Sequence, residues 1–179
     1  MILLMGLIGT GKSTQGHILA ERVKCPWIST GELLRANLTP SQRKQILVGK
    51  LVGDEEMYEI VEEEFKKLGA DKNEFILDGF PRTVAQTRWI IDKVRSGELQ
   101  LKAIIYLQAP KEEMKKRLLN RGRADDTETT IAERFKKFDE ETVPVLDYLH
   151  GEGIKVNEVD ATPSVEDIAA SIAKVLELD

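Results

Sequence analysis

Two rhythms of apolar and polar positions alternate along the chain. Short, continuous apolar runs are separated by longer stretches in which apolar residues recur every three to four positions. The first run, Met1-Ile-Leu-Leu-Met5, ends in glycine, and a helical pattern over residues 13–23 follows the glycine-rich turn. Pro26-Trp27-Ile28 is a second, short strand. Ser29-Thr30-Gly31 is a turn, with Ser29 or Thr30 placed to cap Glu32-Leu-Leu-Arg35. Thr39-Pro40 opens a further helix that closes near Gly49, with proline at its first position. Asp54 caps an amphipathic helix that puts Met57, Ile60, Val61, Phe65 and Leu68 on one face, and Gly69 stops it. Residues 74–78 form a buried strand ending in Asp78. A turn, Gly79-Phe-Pro-Arg82, leads into a helix over 83–94. Ala103-Ile-Ile-Tyr-Leu107 is the next strand, and Pro110 starts a helix through Leu119. After a loop, Arg121-Gly-Arg-Ala-Asp-Asp126, a long helix runs from about Thr127 and is interrupted near Pro144. Asp125, with Glu128 three residues on, reads as its cap. Residues 154–159 make the last strand. Ser164 caps a final helix carrying Val165, Ile168, Ile172, Val175 and Leu176.

Five strands alternating with helices predict an α/β protein with a parallel sheet, covered on both faces through right-handed crossovers. Ligands of such sheets bind beyond the carboxyl ends of the strands. Lys12, Thr30, Asp78 and Arg82 all follow such ends.

The first turn carries chemistry. Gly6-Leu-Ile-Gly-Thr-Gly-Lys-Ser13 between a strand and a helix is a phosphate-binding loop. Gly6, Gly9 and Gly11 let the backbone press against a polyphosphate. The loop amides and the helix N-terminus aim donors and partial positive charge at the anion. Lys12 is expected to reach the β- and γ-phosphates, and Ser13 to ligate Mg²⁺. Asp78, at the end of an apolar strand, is the acid that holds Mg²⁺ or its water shell. The chain therefore binds a nucleoside triphosphate.

Composition narrows the class. The 179 residues fit one domain, and 41% hydrophobic with 32% charged residues is normal for a soluble enzyme. A net charge of -5 argues against a nucleic-acid surface. Cys25 is the only cysteine, which excludes a disulfide or a four-cysteine zinc site and points to a reducing compartment. The apolar start of the chain is too short for a signal sequence or membrane span. The expectation is a cytoplasmic protein with one core and no membrane partner. His17 and His150 are too far apart in sequence to suggest a metal site. Trp27 and Trp89 are assigned to packing.

Six arginines, Arg35, Arg82, Arg117, Arg121, Arg123 and Arg134, fall in or near loops at the expected ligand edge. Arg117 and Arg121 are four apart and share a helix face. Guanidinium forks suit phosphate oxygens. Phosphoryl transfer between two nucleotides gathers much negative charge in one place and needs cations and positioning more than covalent chemistry. Arg88 and Arg95, on a helix body, are left as structural. No Asn-Lys-x-Asp guanine signature is present, and no general base stands out. That suits an acceptor that is already ionised, such as a phosphate.

These motifs resemble the nucleoside monophosphate kinases, most closely the short-lid adenylate kinases, nearly end to end. The likeness rests on the loop through Gln15, Ile28-Ser-Thr-Gly-Glu-Leu-Leu-Arg35, Gly49-Lys-Leu-Val52, Asp78-Gly-Phe-Pro-Arg-Thr83 with Gln86, Arg121-Gly-Arg-Ala-Asp-Asp126, and Arg134. It implies a P-loop NTPase fold, a three-layer α/β/α arrangement around a five-stranded parallel sheet. Residues 1–179 would form a single kinase domain, with a helical monophosphate-binding insertion at about 30–67 and a short lid at about 120–130. It implies reversible, Mg²⁺-dependent transfer of the ATP γ-phosphoryl group to AMP, giving two ADP, by a monomer without structural zinc. Gly9, Thr10, Gly11, Lys12, Ser13, Thr14, Arg117 and Arg121 would hold ATP, with Arg117 over its base. Thr30, Gly31, Arg35, Val52, Gly79, Arg82, Gln86, Arg123 and Arg134 would hold AMP. Lys12, Arg82, Arg121, Arg123 and Arg134 would be catalytic. Asp125 and Asp126 would pair with arginines as the lid closes. Ser13 and Asp78 would hold Mg²⁺, mostly through water. The chain departs from the family in carrying Ser13 where glycine is usual, in a shorter segment between Arg35 and Gly49, and in Gly53. Other readings are a UMP or CMP kinase, a small-metabolite kinase on the same scaffold, or a non-catalytic nucleotide sensor. Thr30 favours AMP over pyrimidine acceptors.

Overall fold

The computed structural model describes residues 1–37, 53–123 and 126–178. The helix expected between Thr39 and Gly49 lies outside these residues, as do Val52 and Asp125. Five strands form one sheet: β1 (Ile2–Gly6), β2 (Trp27–Ser29), β3 (Ile76–Asp78), β4 (Ala103–Gln108) and β5 (Val156–Asp160). Their order is β2-β3-β1-β4-β5, and every pairing is parallel. Leu3 pairs with both Leu77 and Ile104, so β1 lies at the centre.

The central strands are almost wholly apolar up to their carboxyl ends because both of their faces are covered. Strand periodicity then divides one run between two cores. Leu3, Met5, Leu77 and Ile104 face one side. There they meet Leu34 of α2 (Thr30–Asn37), Val61 and Phe65 of α3 (Asp54–Leu68), Ile90 of α4 (Val84–Arg95) and Leu149 of α7 (Val143–Gly151). Ile2, Leu4, Ile76 and Ile105 face the other side. They meet Leu19 of α1 (Lys12–Val23) and Ile168 and Ile172 of α8 (Val165–Val175). Two further helices, α5 (Lys111–Arg121) and α6 (Glu128–Lys137), flank the ligand edge. Among the described residues no helix is long and apolar enough to cross a membrane.

Helix ends follow local chemistry where a side chain can reach. Thr83 caps α4 by accepting from the Gln86 amide, and Ser164 caps α8 by accepting from the Asp167 amide. Gly69 ends α3 in the left-handed region. Three expectations need correction. Thr127, not Asp125, caps α6, accepting from the Thr130 amide. The long helix breaks at a π-helical turn, Phe138–Thr142, ahead of Pro144. Pro144 itself sits in the first turn of α7, directly after that π-helical turn. Asp54 does not cap α3; it is the first helical residue, and its carboxylate is turned to other partners.

Gly6 joins the sheet to the phosphate loop. It pairs with Leu107, has φ 144, and a Cβ there would lie 2.5 Å from the Leu107 carbonyl oxygen. That oxygen is backbone of the buried Leu107, paired within the sheet, and cannot move aside. Gly6→Ala is expected to lose at least about 2 kcal/mol of stability, measured by urea unfolding. An unchanged midpoint would show that the strand end is softer than this packing implies.

Candidate active site

The loop after β1 folds as its glycines require, with Gly9 at φ 93 and Gly11 at φ 85 immediately before α1. The buried Thr10 braces it by donating from Oγ1 to the Leu7 carbonyl at 2.8 Å. Lys12 turns its amine back over the loop and donates to the carbonyls of Gly6 and Leu7, at 2.8 and 3.0 Å. Burial pushes this amine down to about 8. Asp78 pulls the other way, while Arg82 and Arg121 add to the depression. The amine is therefore close to losing its proton in the absence of an anion. Ser13 Oγ donates to Asp78 Oδ2 at 2.9 Å, so the hydroxyl and the acid meet at the β1–β3 junction. Asp78 is buried.

A cavity of about 470 Å³ opens at the carboxyl edge of the sheet. Gly9, Gly11, Lys12, Ser13, Thr14, Arg117 and Arg121 line it on the phosphate-loop side. Gly31, Arg35, Gly79 and Arg82 line it on the α2 side, and Arg123 and Arg134 complete it. All six arginines singled out from sequence are thus brought together. Asp78 is the lone carboxylate of the lining among the described residues. So concentrated a positive charge, in a site partly closed to water, suits a polyanion.

Arg82 is held through its backbone and at Nε. Its backbone N–H donates to Gln86 Oε1 at 2.7 Å, and its carbonyl accepts from Thr142 Oγ1 at 2.9 Å. Its Nε donates to the Gly79 carbonyl at 2.6 Å. Burial lowers its pKa, against the pull of Asp78. Arg121 grips the buried Asp126 with two bonds, Nε to Oδ2 at 2.8 Å and Nη2 to Oδ1 at 2.7 Å. Arg134 approaches the same carboxylate at 3.9 Å. Asp126 thus holds two cavity arginines from behind and does not itself line the space. Arg117 lines the cavity but is tied elsewhere: it donates to the carbonyls of Ala161 and Thr162, at 2.8 and 3.0 Å, and pairs with Glu113. It fixes the segment after β5 to α5.

Thr30 and Gln86 stand behind the cavity wall. Thr30 is fully buried and donates to the Asp78 carbonyl at 3.2 Å. Gln86 is buried beside Arg82. Arg88 and Arg95 lie away from the cavity, Arg88 over the Tyr148 ring and Arg95 paired with Glu152. Trp89 stacks on Tyr58 at 4.9 Å, and Trp27 packs on His17. Lys137, Phe138 and Thr142 also line the cavity, although nothing in the sequence reading singled them out. Lys137 lies three residues after Arg134, one turn on, and that spacing was the available signal.

The family model described as "Adenylate kinase" matches residues 4–154. The adenylate kinase of Corynebacterium urealyticum is 37% identical over 174 residues, covering 94% of each chain. That of Mycobacterium sp. (strain MCS) is 37% identical over 181 residues, covering 98% of each chain. That of Leptospira biflexa is 34% identical over 183 residues, covering 97% of each chain. The matched stretch contains every lining residue of the cavity, from position 4 to position 142, and by this likeness the chain belongs to the adenylate kinase family.

Proposed function

We propose that the protein transfers the γ-phosphoryl group of ATP reversibly to AMP, giving two ADP. The observation that carries this reading is one cavity shared by a phosphate loop and six arginines, reaching from α1 to α2. In the transfer, an AMP phosphate oxygen bonds to the γ-phosphorus as the bond to the β–γ bridging oxygen breaks, and ADP leaves. The attacking oxygen is already ionised, so no residue has to remove a proton. Lys12 and the loop amides hold the triphosphate. Arg35 and Arg82 hold the acceptor phosphate opposite it, and Arg121, Arg123 and Arg134 neutralise charge on the group in flight. Arg117 and the segment it pins after β5 border the space for the ATP base.

The Ser13 hydroxyl and the Asp78 carboxylate are a hard-oxygen pair of the kind that holds Mg²⁺ together with phosphates and water. When bound, the ion would neutralise the β- and γ-oxygens. Residues 30–67 would carry the acceptor side and 120–130 a short lid, within a single domain of residues 1–179. Closure would exclude water, a competing acceptor. We take the protein to work as a cytoplasmic monomer on free nucleotides.

The reaction run backwards tests this reading. Mg²⁺ and ADP alone should yield ATP and AMP in equal amounts; a hydrolase would release inorganic phosphate instead. Binding should also take up protons. A triphosphate beside Lys12 raises its pKa above the free value of about 8. Below pH 8 both states are protonated and affinity is level; above it the free amine is neutral, and affinity falls until the complex itself deprotonates. Calorimetry of binding of the Mg²⁺ complex of ATP, whose phosphates are ionised at both pH values, in buffers of different ionisation enthalpy should give uptake near zero at pH 6.5 and roughly half a proton or more at pH 8.5. Zero uptake at both would place Lys12 away from the phosphates.

A further inference from the structure

The acceptor reading leaves unexplained how a glutamine amide, symmetric in shape, would present one chosen face to a base. Gln86 is buried, and both ends of its amide are committed. Oε1 accepts from the Arg82 backbone N–H at 2.7 Å, and Nε2 donates to Asp54 Oδ1 at 2.7 Å. Thr83 completes the ring: its Oγ1 accepts from the Gln86 backbone N–H at 3.1 Å and donates to Asp54 Oδ2 at 3.2 Å. Turning the amide over would set NH₂ against the Arg82 N–H and a carbonyl against a carboxylate. Two donors would face each other at one end and two acceptors at the other, and each mismatch strands a buried polar group. The orientation is therefore fixed chemically. Of the two fixing partners, the backbone N–H comes with the fold; Asp54 is the one the sequence has chosen.

The geometry points to Asp54 as a positioning residue for acceptor-base selectivity. It rests on the adenylate kinase reading and on the acceptor base reaching Gln86, which stands just behind the cavity lining beside Arg82. Among the described residues, one Nε2 hydrogen and one Oε1 lone pair remain uncommitted. A base that meets both would find a donor and an acceptor of fixed order. Adenine matches them, with N1 accepting and its amino group donating. Hypoxanthine inverts both, with N1–H donating and O6 accepting. By holding Nε2, Asp54 prevents the amide from rotating to fit the wrong base, which is selection against a competitor as well as for the substrate. The same bonds tie the first residue of α3 to the first turn of α4, so the reader is braced between two helices.

The test compares kcat/KM for AMP and IMP, with Mg²⁺ and ATP, in the full chain and in two variants. Asp54→Leu removes the acceptor. It should lower the AMP-to-IMP ratio at least about tenfold, through KM for AMP, with kcat changed far less. Asp54→Asn keeps an oxygen facing Nε2 and should hold the ratio within about threefold of the starting protein. An unchanged ratio in Asp54→Leu overturns the proposal. So does a parallel loss for both nucleotides, which would mean a merely structural bond. Failure of the starting protein to use AMP overturns the adenylate kinase reading, and this proposal with it. Should Asp54→Leu not fold, the starting protein still decides. One Gln86 side-chain amide proton should resist exchange in the free state, and the second should become protected with AMP but not IMP. Exchange of both at the rate of an exposed amide contradicts the proposal.

Discussion

Arg82→Ala is expected to lower kcat by roughly 10³-fold while ATP affinity stays within about threefold. The expectation comes from how Arg82 is held. Its N–H, carbonyl and Nε are each bonded to protein, to Gln86, Thr142 and Gly79. Its two terminal nitrogens have no partner among the described residues, and the side chain lines the cavity. A guanidinium fixed at its base and open at its tip is preorganised for an anion, and little order has to be gained when the anion arrives. Removing it takes a charge from the acceptor side and leaves the phosphate loop untouched. Lysine should restore only part of the rate, since it cannot offer a fork of fixed geometry. Steady-state kinetics with calorimetry of a non-hydrolysable ATP analogue separates the two effects. Unchanged turnover would remove Arg82 from the mechanism. Equal loss of ATP binding would make it a structural residue of the cleft.

Lys12→Met should move activity and stability in opposite directions. Turnover should fall by roughly 10³-fold or more, because the amine is the one cation seated on the phosphate loop itself. Stability should hold or rise. Burial has pushed the Lys12 amine down to about 8, so its charge is unfavourable in the empty protein at neutral pH. Part of that shift, on the order of 1–3 kcal/mol, is relieved by an apolar chain of similar length. Two hydrogen bonds to the Gly6 and Leu7 carbonyls are lost in return. The Leu7 carbonyl keeps Thr10 as a donor, which limits the damage. Thermal melting beside a turnover assay reads both signs. A variant that is both inactive and markedly less stable would show that Lys12 mainly holds the loop together.

The sheet and the phosphate loop were legible because their causes are local. A doubly covered strand is a nearly continuous apolar run, so β1, β3 and β4 declare themselves in sequence. Gly6, Gly9 and Gly11 announce backbone that side chains resist, and Thr83 and Ser164 cap the helices beside them. What escaped was decided by partners distant in sequence. Asp54 opens an amphipathic helix and so resembles a cap, yet its carboxylate is taken by Thr83 and Gln86, on another helix. Arg117 and Arg121 share a helix face and both border the cavity. Only the fold shows that Arg117 is committed to carbonyls at positions 161 and 162 while Arg121 is held by Asp126. Lys137 reaches the cavity one turn after Arg134, just ahead of the π-helical turn whose Thr142 bonds the Arg82 carbonyl, and only the fold shows that this helix face meets the cleft.

The central claim is that one cavity brings a triphosphate to a nucleoside monophosphate, and that the monophosphate is AMP. Initial rates of nucleoside diphosphate formation, with Mg²⁺, ATP and each of AMP, GMP, CMP and UMP in turn, test it most directly. Turnover with AMP far above the other three is the predicted result. A preference for UMP or CMP, or no transfer to any of the four, would contradict it.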